Sequence, residues 1–327
     1  MTKLYSNTAN KQLIASMIQK GREPHSVLIT GEPGGGKKAL ARYLAAALLC
    51  EEHTGEPCGK CRSCRMINDD VHPDLITAKS NENGNYRLDD IRALVSDTVV
   101  KPNEGRLKVY LIPDFDRSVS TAQAVQNVLL KAIEEPPAHC VMILTAATKE
   151  VFLPTIISRV VKFAAEPCSR HDAEEWLTLL GRFEQTDVIR AVGCCGGNFG
   201  RCLEFLEGGE LRKAYDCARA AVEQIAEGSE YGLVKVFAQA DAKGALLKQA
   251  LQFLCETARS GCLLSAGAVS EDELRSREAG LLSKKLGQNG CERLYTLAAN
   301  TKDRLERSAN QSLAMNDFTA KCSGLLR

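Results

Sequence analysis

The sequence predicts a parallel α/β sheet domain followed by an all-helical region, and three observations point to this fold class. Between residues 26 and 165, short runs rich in Val, Ile and Leu alternate with stretches of helical spacing. The first of these runs opens directly into a glycine-rich turn ending in lysine. After about Ser169 the strand pattern stops, and apolar residues recur only at intervals of three and four. Apolar strands separated by helices need cover on both faces, which parallel sheets obtain from their crossover helices.

The expected strands are Ser26–Thr30, Asp74–Ala78, Leu107–Ile112, Val141–Ala146 and Val160–Ala164. Helices are expected at Lys37–Cys50, Leu88–Val99 and Ala122–Glu134, with a short turn near Leu153–Ser158. Further on, His171–Gly181 and Asp187–Gly193 read as helical, and the loop Gly196-Gly197-Asn198-Phe199-Gly200 opens a helix at Arg201. Beyond Gly208-Gly209, Leu211, Tyr215, Ala218, Val222 and Ile225 step by four and three, as do Leu247, Leu251, Leu254 and Ala258. Such spacing puts each set on one buried stripe. The expected division is therefore 1–166 for the sheet domain, 167–208 for a small helical domain and 209–327 for a larger helical one.

A chain of 327 residues exceeds a single core. Lys and Arg total 42 against 41 Asp and Glu, a net charge of +1, so no whole-protein basic field grips nucleic acid. The longest apolar run, around Tyr43–Cys50, falls far short of the ~18–20 residues of a membrane span. Met1-Thr2-Lys3-Leu4-Tyr5 turns polar at once, without a secretory apolar segment, so a cytoplasmic location is expected.

Strand Ser26–Thr30 runs into Gly31-Glu32-Pro33-Gly34-Gly35-Gly36-Lys37-Lys38, which fits G-x-x-x-x-G-K between a strand and a helix. Glycines let backbone amides wrap a phosphate, and Lys37 would reach its terminal oxygens. The next residue in a nucleotide-hydrolysing loop is Ser or Thr, whose hydroxyl holds Mg²⁺. Here Lys38 stands there, and an ammonium repels the metal. The strand Val109-Tyr110-Leu111-Ile112 should end in a metal-binding carboxylate, yet Pro113 follows, with Asp114 one place later. ATP hydrolysis with Mg²⁺ in this chain's own site is therefore not expected.

Of fourteen cysteines, four cluster as Cys50, Cys58, Cys61 and Cys64, while ten scatter from Cys140 to Cys322 as expected of half-buried small hydrophobes. Four thiolates form the closed tetrahedral set of structural Zn²⁺, with no position left open for water. A ferredoxin-like iron–sulfur run would place another Cys where Asn68 stands. His53 and His72 flank the cluster and are left out of the ligand set.

The glycine loop, the four-cysteine insertion and His72-Pro73-Asp74-Leu75 together resemble the bacterial DNA polymerase III clamp-loader subunits of the gamma/tau and delta-prime kinds, which are AAA+ proteins. Further resemblance lies in Ile91-Arg92, Val100-Lys101-Pro102, Lys108–Ile112, the stretch from Asn127 to Pro137 containing Glu134-Glu135-Pro136-Pro137, and Leu153-Pro154-Thr155-Ile156-Ile157-Ser158-Arg159. Within that family the delta-prime branch is the closer match, because gamma/tau subunits carry the hydroxyl and the acidic residue missing here. Arg307-Ser308-Ala309-Asn310-Gln311-Ser312-Leu313-Ala314 is similar to the last collar helix of that branch, and the chain stops without the extension that tau carries.

The resemblance implies an AAA+ P-loop domain (1–166) with a zinc module (50–64), a helical lid (167–208) and a collar (209–327). It implies gamma/tau and delta subunits as partners, with the sliding clamp and primed DNA reached through the complex. Arg159 would then be an arginine finger acting in trans, although Val160 replaces the Cys usual after it. Arg201 falls at the sensor-2 position, Thr148 near sensor-1, and Gly31, Gly34, Gly35, Gly36, Lys37 and Lys38 form a degenerate nucleotide loop. Two other readings are an active gamma/tau-like ATPase, which Lys38 and Pro113 oppose, and a zinc-containing nucleic-acid binder, which the near-zero charge opposes.

Overall fold

Alternation along three central strands sorts the core of the first unit into two layers. The computed structural model describes all residues except 1–3, 82–83, 118–121, 240–243, 268–275, 308–309 and 327. The chain divides into two compact units, Met1–Ala173 with Gly197–Gly200, and Glu174–Gly196 with Arg201–Arg327.

The first unit runs α1 (Thr8–Gln19), β1 (Ser26–Thr30), α2 (Lys37–Leu49), α3 (Arg62–Asn68), β2 (Leu75–Thr77), α4 (Leu88–Asp97), β3 (Lys108–Ile112), α5 (Ala122–Glu134), β4 (Cys140–Ala146), α6 (Pro154–Ile157) and β5 (Val161–Ala164). Its strands form one sheet in the order β2-β3-β4-β1-β5, and every pairing is parallel. In β1, β3 and β4, residues Val27, Ile29, Val109, Leu111, Val141 and Ile143 face one layer with α1 and α2. Leu28, Tyr110, Ile112, Met142 and Leu144 face the other, against Ile91 and Leu94 of α4 and Val125 and Leu129 of α5. Period-two alternation thus feeds both faces of a doubly covered sheet. Each fully buried Leu or Ile contributes about 1.5–3 kcal/mol.

β1 and α5 are found at their predicted bounds, β2, β3, β5, α2 and α4 are shorter, and β4 starts one residue earlier, at Cys140. The second strand starts at Leu75, although the Asp74 carbonyl still accepts Val109 N–H at 2.8 Å. Helix α4 stops at Asp97, and the Thr98 hydroxyl bonds back to Val95 O at 2.7 Å, leaving Val99 and Val100 exposed. Helices α1 and α3 were not anticipated.

The second unit is helical among the described residues. Helix α7 (Arg170–Leu179) begins in the first unit, and α8 (Gln185–Cys195) follows it. Helix α9 (Phe199–Leu206) begins on the strip Gly197–Gly200 and continues into the second unit. Then come α10 (Glu210–Glu227), α11 (Glu230–Gln239), α12 (Gly244–Ser265), α13 (Ser276–Glu306, interrupted by Gly287 at φ 64°) and α14 (Gln311–Leu326). The predicted stripes are its core. Leu211, Ala218, Val222 and Ile225 of α10 and Leu247, Leu251, Leu254 and Ala258 of α12 are buried. Tyr215, only half-buried, packs edge-on against Phe205 and Phe253. Ser308 and Ala309 of the collar-like stretch lie outside the described residues, while Asn310 caps α14 by accepting Leu313 N–H at 3.1 Å. No described helix is long and apolar enough to cross a membrane.

Candidate functional site

The glycine loop leaves the C-terminal end of β1 and turns through Gly34 (φ 77°) and Gly36 (φ 89°), a left-handed backbone that favours glycine. Lys37 starts α2 and is buried, with 6% of its surface exposed. Its Nζ lies 3.3 Å from Asp114 Oδ1, and Lys38 Nζ lies 2.7 Å from Asp114 Oδ2. The carboxylate that Pro113 displaces from the end of β3 is thus met one residue later. Asp114 adopts φ 49°, which swings its side chain to the loop, and its N–H donates to Thr145 Oγ1 at 2.8 Å. Burial pushes the Asp114 carboxyl up, but the Lys38 hydrogen bond and the Lys37 charge hold it below the ordinary carboxylate range.

The strip Gly197–Gly200 lies directly against this loop. Asn198 Nδ2 donates to Pro33 O at 3.0 Å and Gly200 N–H to Gly34 O at 3.1 Å. The backbones meet so closely that a Cβ on Gly200 would lie 2.5 Å from Gly34 Cα. Thr148 is exposed and hydrogen-bonded to Glu150; the threonine beside the loop is the fully buried Thr145. Arg201 lies in the second unit, exposed, in the first turn of α9.

The four cysteines converge. Cys50 terminates α2, Cys58 and Cys61 lie on the following loop, and Cys64 sits in α3. Their Sγ atoms all fall within 4.8 Å of one another, and Cys58 and Cys64 are 4.0 Å apart. Four sulfurs at about 2.3 Å from a tetrahedral Zn²⁺ stand just under 4 Å apart, so this donor set fits the ion. Each turn of the loop hands an amide to the preceding sulfur: Cys58 N to Cys50 Sγ at 3.4 Å, Cys61 N to Cys58 Sγ and Cys64 N to Cys61 Sγ, both at 3.3 Å. The amides of Lys60 and Cys61 pull the Cys58 thiol down to about 7, whereas burial pushes those of Cys50 and Cys64 up.

One contact closes this module on itself and a second ties it to the turn before β3. Glu51 Oε1 accepts Ser63 N at 3.1 Å at the start of α3, and Arg62 pairs with Glu104 at 2.7 Å. Glu104 sits on a turn held by the fully buried Asp74, which accepts the amides of Asn103, Glu104 and Gly105 at 2.6, 2.9 and 3.1 Å. His72 Nδ1 accepts Asp74 N–H at 3.1 Å, so His72 is structural; His53 is exposed, and neither joins the sulfur cluster.

Arg159 follows α6 and precedes β5, an edge strand. Because β1 and β5 run parallel, Arg159 and the glycine loop occupy opposite ends of the sheet. Its Nη1 donates to Thr155 O at 3.0 Å and Ser158 Oγ at 3.3 Å, and its Nη2 lies 3.2 Å from Glu134 Oε1. The residue that positions α6 escaped sequence reasoning. Buried Gln126 donates to Val151 O at 2.9 Å and accepts Leu153 N–H at 2.6 Å, clamping α5 to the start of α6.

Comparison with known proteins adds independent findings. The profile of a family described as DNA polymerase III, delta subunit, matches residues 6–169. DNA polymerase III subunit delta' of Escherichia coli K12 is 29% identical over 226 residues, covering 68% of this chain and 66% of that protein. Subunit delta' of Pseudomonas aeruginosa is 30% identical over 197 residues, covering 59% of each. Subunit tau of Salmonella typhimurium LT2 is 36% identical over 151 residues, 46% of this chain and 23% of tau. The chain thus spans about two thirds or less of the length of these curated relatives. A solved gamma-subunit-related protein from Thermotoga maritima aligns over 97% of this chain and 99% of its own, at 18% identity and a TM-score of 0.49.

Proposed function

The chain belongs to the DNA polymerase III delta-subunit family, and from that membership we propose that it is a delta-prime-like clamp-loader subunit that does not hydrolyse ATP. In this reading it joins gamma/tau and delta subunits in a ring that opens the sliding clamp on primed DNA in the cytoplasm. Residues 167–208 act as its lid and 209–327 as its collar.

The observation that carries the reading is the pairing of opposite properties at the two ends of one sheet. At the C-terminal end, the lysines of the glycine loop share a buried carboxylate, and no hydroxyl follows Lys37 to bind Mg²⁺. At the N-terminal end, a half-exposed arginine stands beside an edge strand, where a neighbouring subunit's nucleotide can reach it. A planar, permanently charged fork suits charge developing on a transferred phosphoryl group. Arg159 therefore serves a gamma/tau subunit in trans.

Cys50, Cys58, Cys61 and Cys64 hold a structural Zn²⁺, which supplies a cross-link between the end of α2 and α3 and takes no part in chemistry. The deciding experiment is co-purification of the chain with delta and gamma/tau from the same source, with Mg²⁺-dependent ATP turnover measured on the isolated chain. A stable complex and background turnover are expected. Robust turnover lost in Lys37→Ala would overturn the reading.

A further inference from the structure

Asp114 is fixed by the sheet and not by the lysines it meets. Its N–H is taken by the fully buried Thr145 of β4, and the preceding Pro113 carbonyl accepts the Tyr86 hydroxyl. Both backbone groups beside the turn are thus pinned, and the φ of 49° follows from that pinning. Asp is one of the few residues that tolerate this region. This backbone turn sets the carboxylate beside the glycine loop, where it meets Lys37 and Lys38.

The loop, for its part, is shaped without a ligand. Pro33 O and Gly34 O are occupied by Asn198 and Gly200, and Gly31 N–H bonds to Ala146 O at 3.2 Å. Gly34 and Gly36 already hold the left-handed turns that let amides converge. What remains for a phosphate is the charge of Lys37 and Lys38. Lys37 is 6% exposed and Asp114 8%, so their attraction is weakly screened by water.

We propose that Asp114 is a resident counter-ion of the glycine loop, occupying the position of a bound phosphate and closing the loop to nucleotides. This goes beyond the loss of hydrolysis argued above. Missing magnesium ligands stop turnover but leave metal-free polyphosphate binding open, whereas a carboxylate in contact with both ammoniums opposes that binding too. An incoming phosphate meets a fixed like charge at the lysine it needs. Neutralising Asp114 leaves a formed loop, two lysines and a helix N-terminus, an arrangement suited to a nucleoside polyphosphate.

The test is titration of the full chain with ATP in EDTA by calorimetry, comparing wild type, Asp114→Asn and Asp114→Asn/Lys37→Ala. Asp114→Asn is expected to bind ATP at least ~10-fold more tightly than wild type, and the added Lys37→Ala to abolish the gain. Equal binding by wild type and Asp114→Asn, or a gain that survives Lys37→Ala, overturns the proposal. Hydrolysis is read separately with Mg²⁺: equal binding with background turnover refutes this proposal and leaves the proposed function standing, whereas turnover by wild type refutes both. If Asp114→Asn does not fold, Lys37→Met/Lys38→Met decides. It removes both ammoniums beside the Asp114 carboxylate and must lower Tm more at pH 8 than at pH 4, and an unchanged Tm refutes the resident ion pair.

Discussion

Arg159 and Glu134 face each other at 3.2 Å, joining the end of α5 to the segment between α6 and β5. Both side chains are close to half exposed, at 43% and 42%. An exposed pair of this kind contributes at most about 1 kcal/mol, so the guanidinium is only weakly held there.

Arg159→Ala should accordingly leave Tm and ring assembly unchanged while lowering DNA-stimulated ATPase and clamp loading in the reconstituted complex. The loss should be smaller than the ~10³-fold or more known for isolated arginine fingers, because several sites share the work. Arg159→Lys should also be impaired, since it keeps the charge but loses the fork. A complex carrying Arg159→Ala that loads clamps at the wild-type rate would remove the trans role.

Zinc should be present at about one equivalent per chain by atomic emission and absent from Cys64→Ser. Chelation should raise amide exchange first in residues 51–68, because the metal stabilises that loop directly, with β1, β3 and β4 following later. Simultaneous loosening of loop and sheet would contradict a local role.

Asp74→Ala removes the acceptor of three backbone amides and should cost roughly 3 kcal/mol in denaturant unfolding. Burial raises the Asp74 carboxyl, but the amides of Asn103, Glu104 and Gly105 more than reverse this and leave it below its usual value. Asp114 is lowered as well. Carboxyls depressed in the folded state stabilise fully above their unfolded value near ~4, and that stability is lost as pH falls through the folded values. Wild-type Tm should therefore drop steeply below about pH 4, and Asp74→Asn should show a shallower drop in the same scan.

Gly200→Ala places a methyl group 2.5 Å from Gly34 Cα, backbone against backbone, where neither side gives cheaply. The expected cost is about 1–3 kcal/mol, with faster proteolytic nicking around residues 197–200. Wild-type resistance to the protease would show that the close approach is dispensable.

The sheet was legible because its strands are apolar on both faces, and α5 was placed at its observed bounds by spacing alone. The cysteine quartet was equally plain, since two-residue separations leave few ways to avoid one another. Helix α1 was not legible. It buries only Ile14 and Ile18, has no acidic residue in its first turn, and starts from Asn7 at φ 58° without a side-chain cap. Helix α3 hid because the Sγ of Cys61, and not an oxygen, accepts Cys64 N–H at its start. The role of Asp114 depends on one left-handed residue after a proline, and Gln126 acts through two backbone contacts 25 and 27 residues away. Neither kind of contact has a periodicity to read.

The strand order also sets a timetable for synthesis. Strand β1 pairs with β4 and β5, whose registers match Ser26 to Met142 and Val27 to Val161. During translation β1 therefore waits for its first neighbour while about 116 further residues are added, roughly 6–23 s at typical bacterial elongation rates. Throughout that interval Val27, Leu28 and Ile29, all fully buried in the finished protein, have no sheet to enter. The segment Cys50–Cys64, by contrast, carries all four of its sulfurs within 15 residues. A nascent chain stalled near residue 100 should thus already protect its cysteines from alkylation when zinc is supplied, while its first strand remains open to chaperone capture.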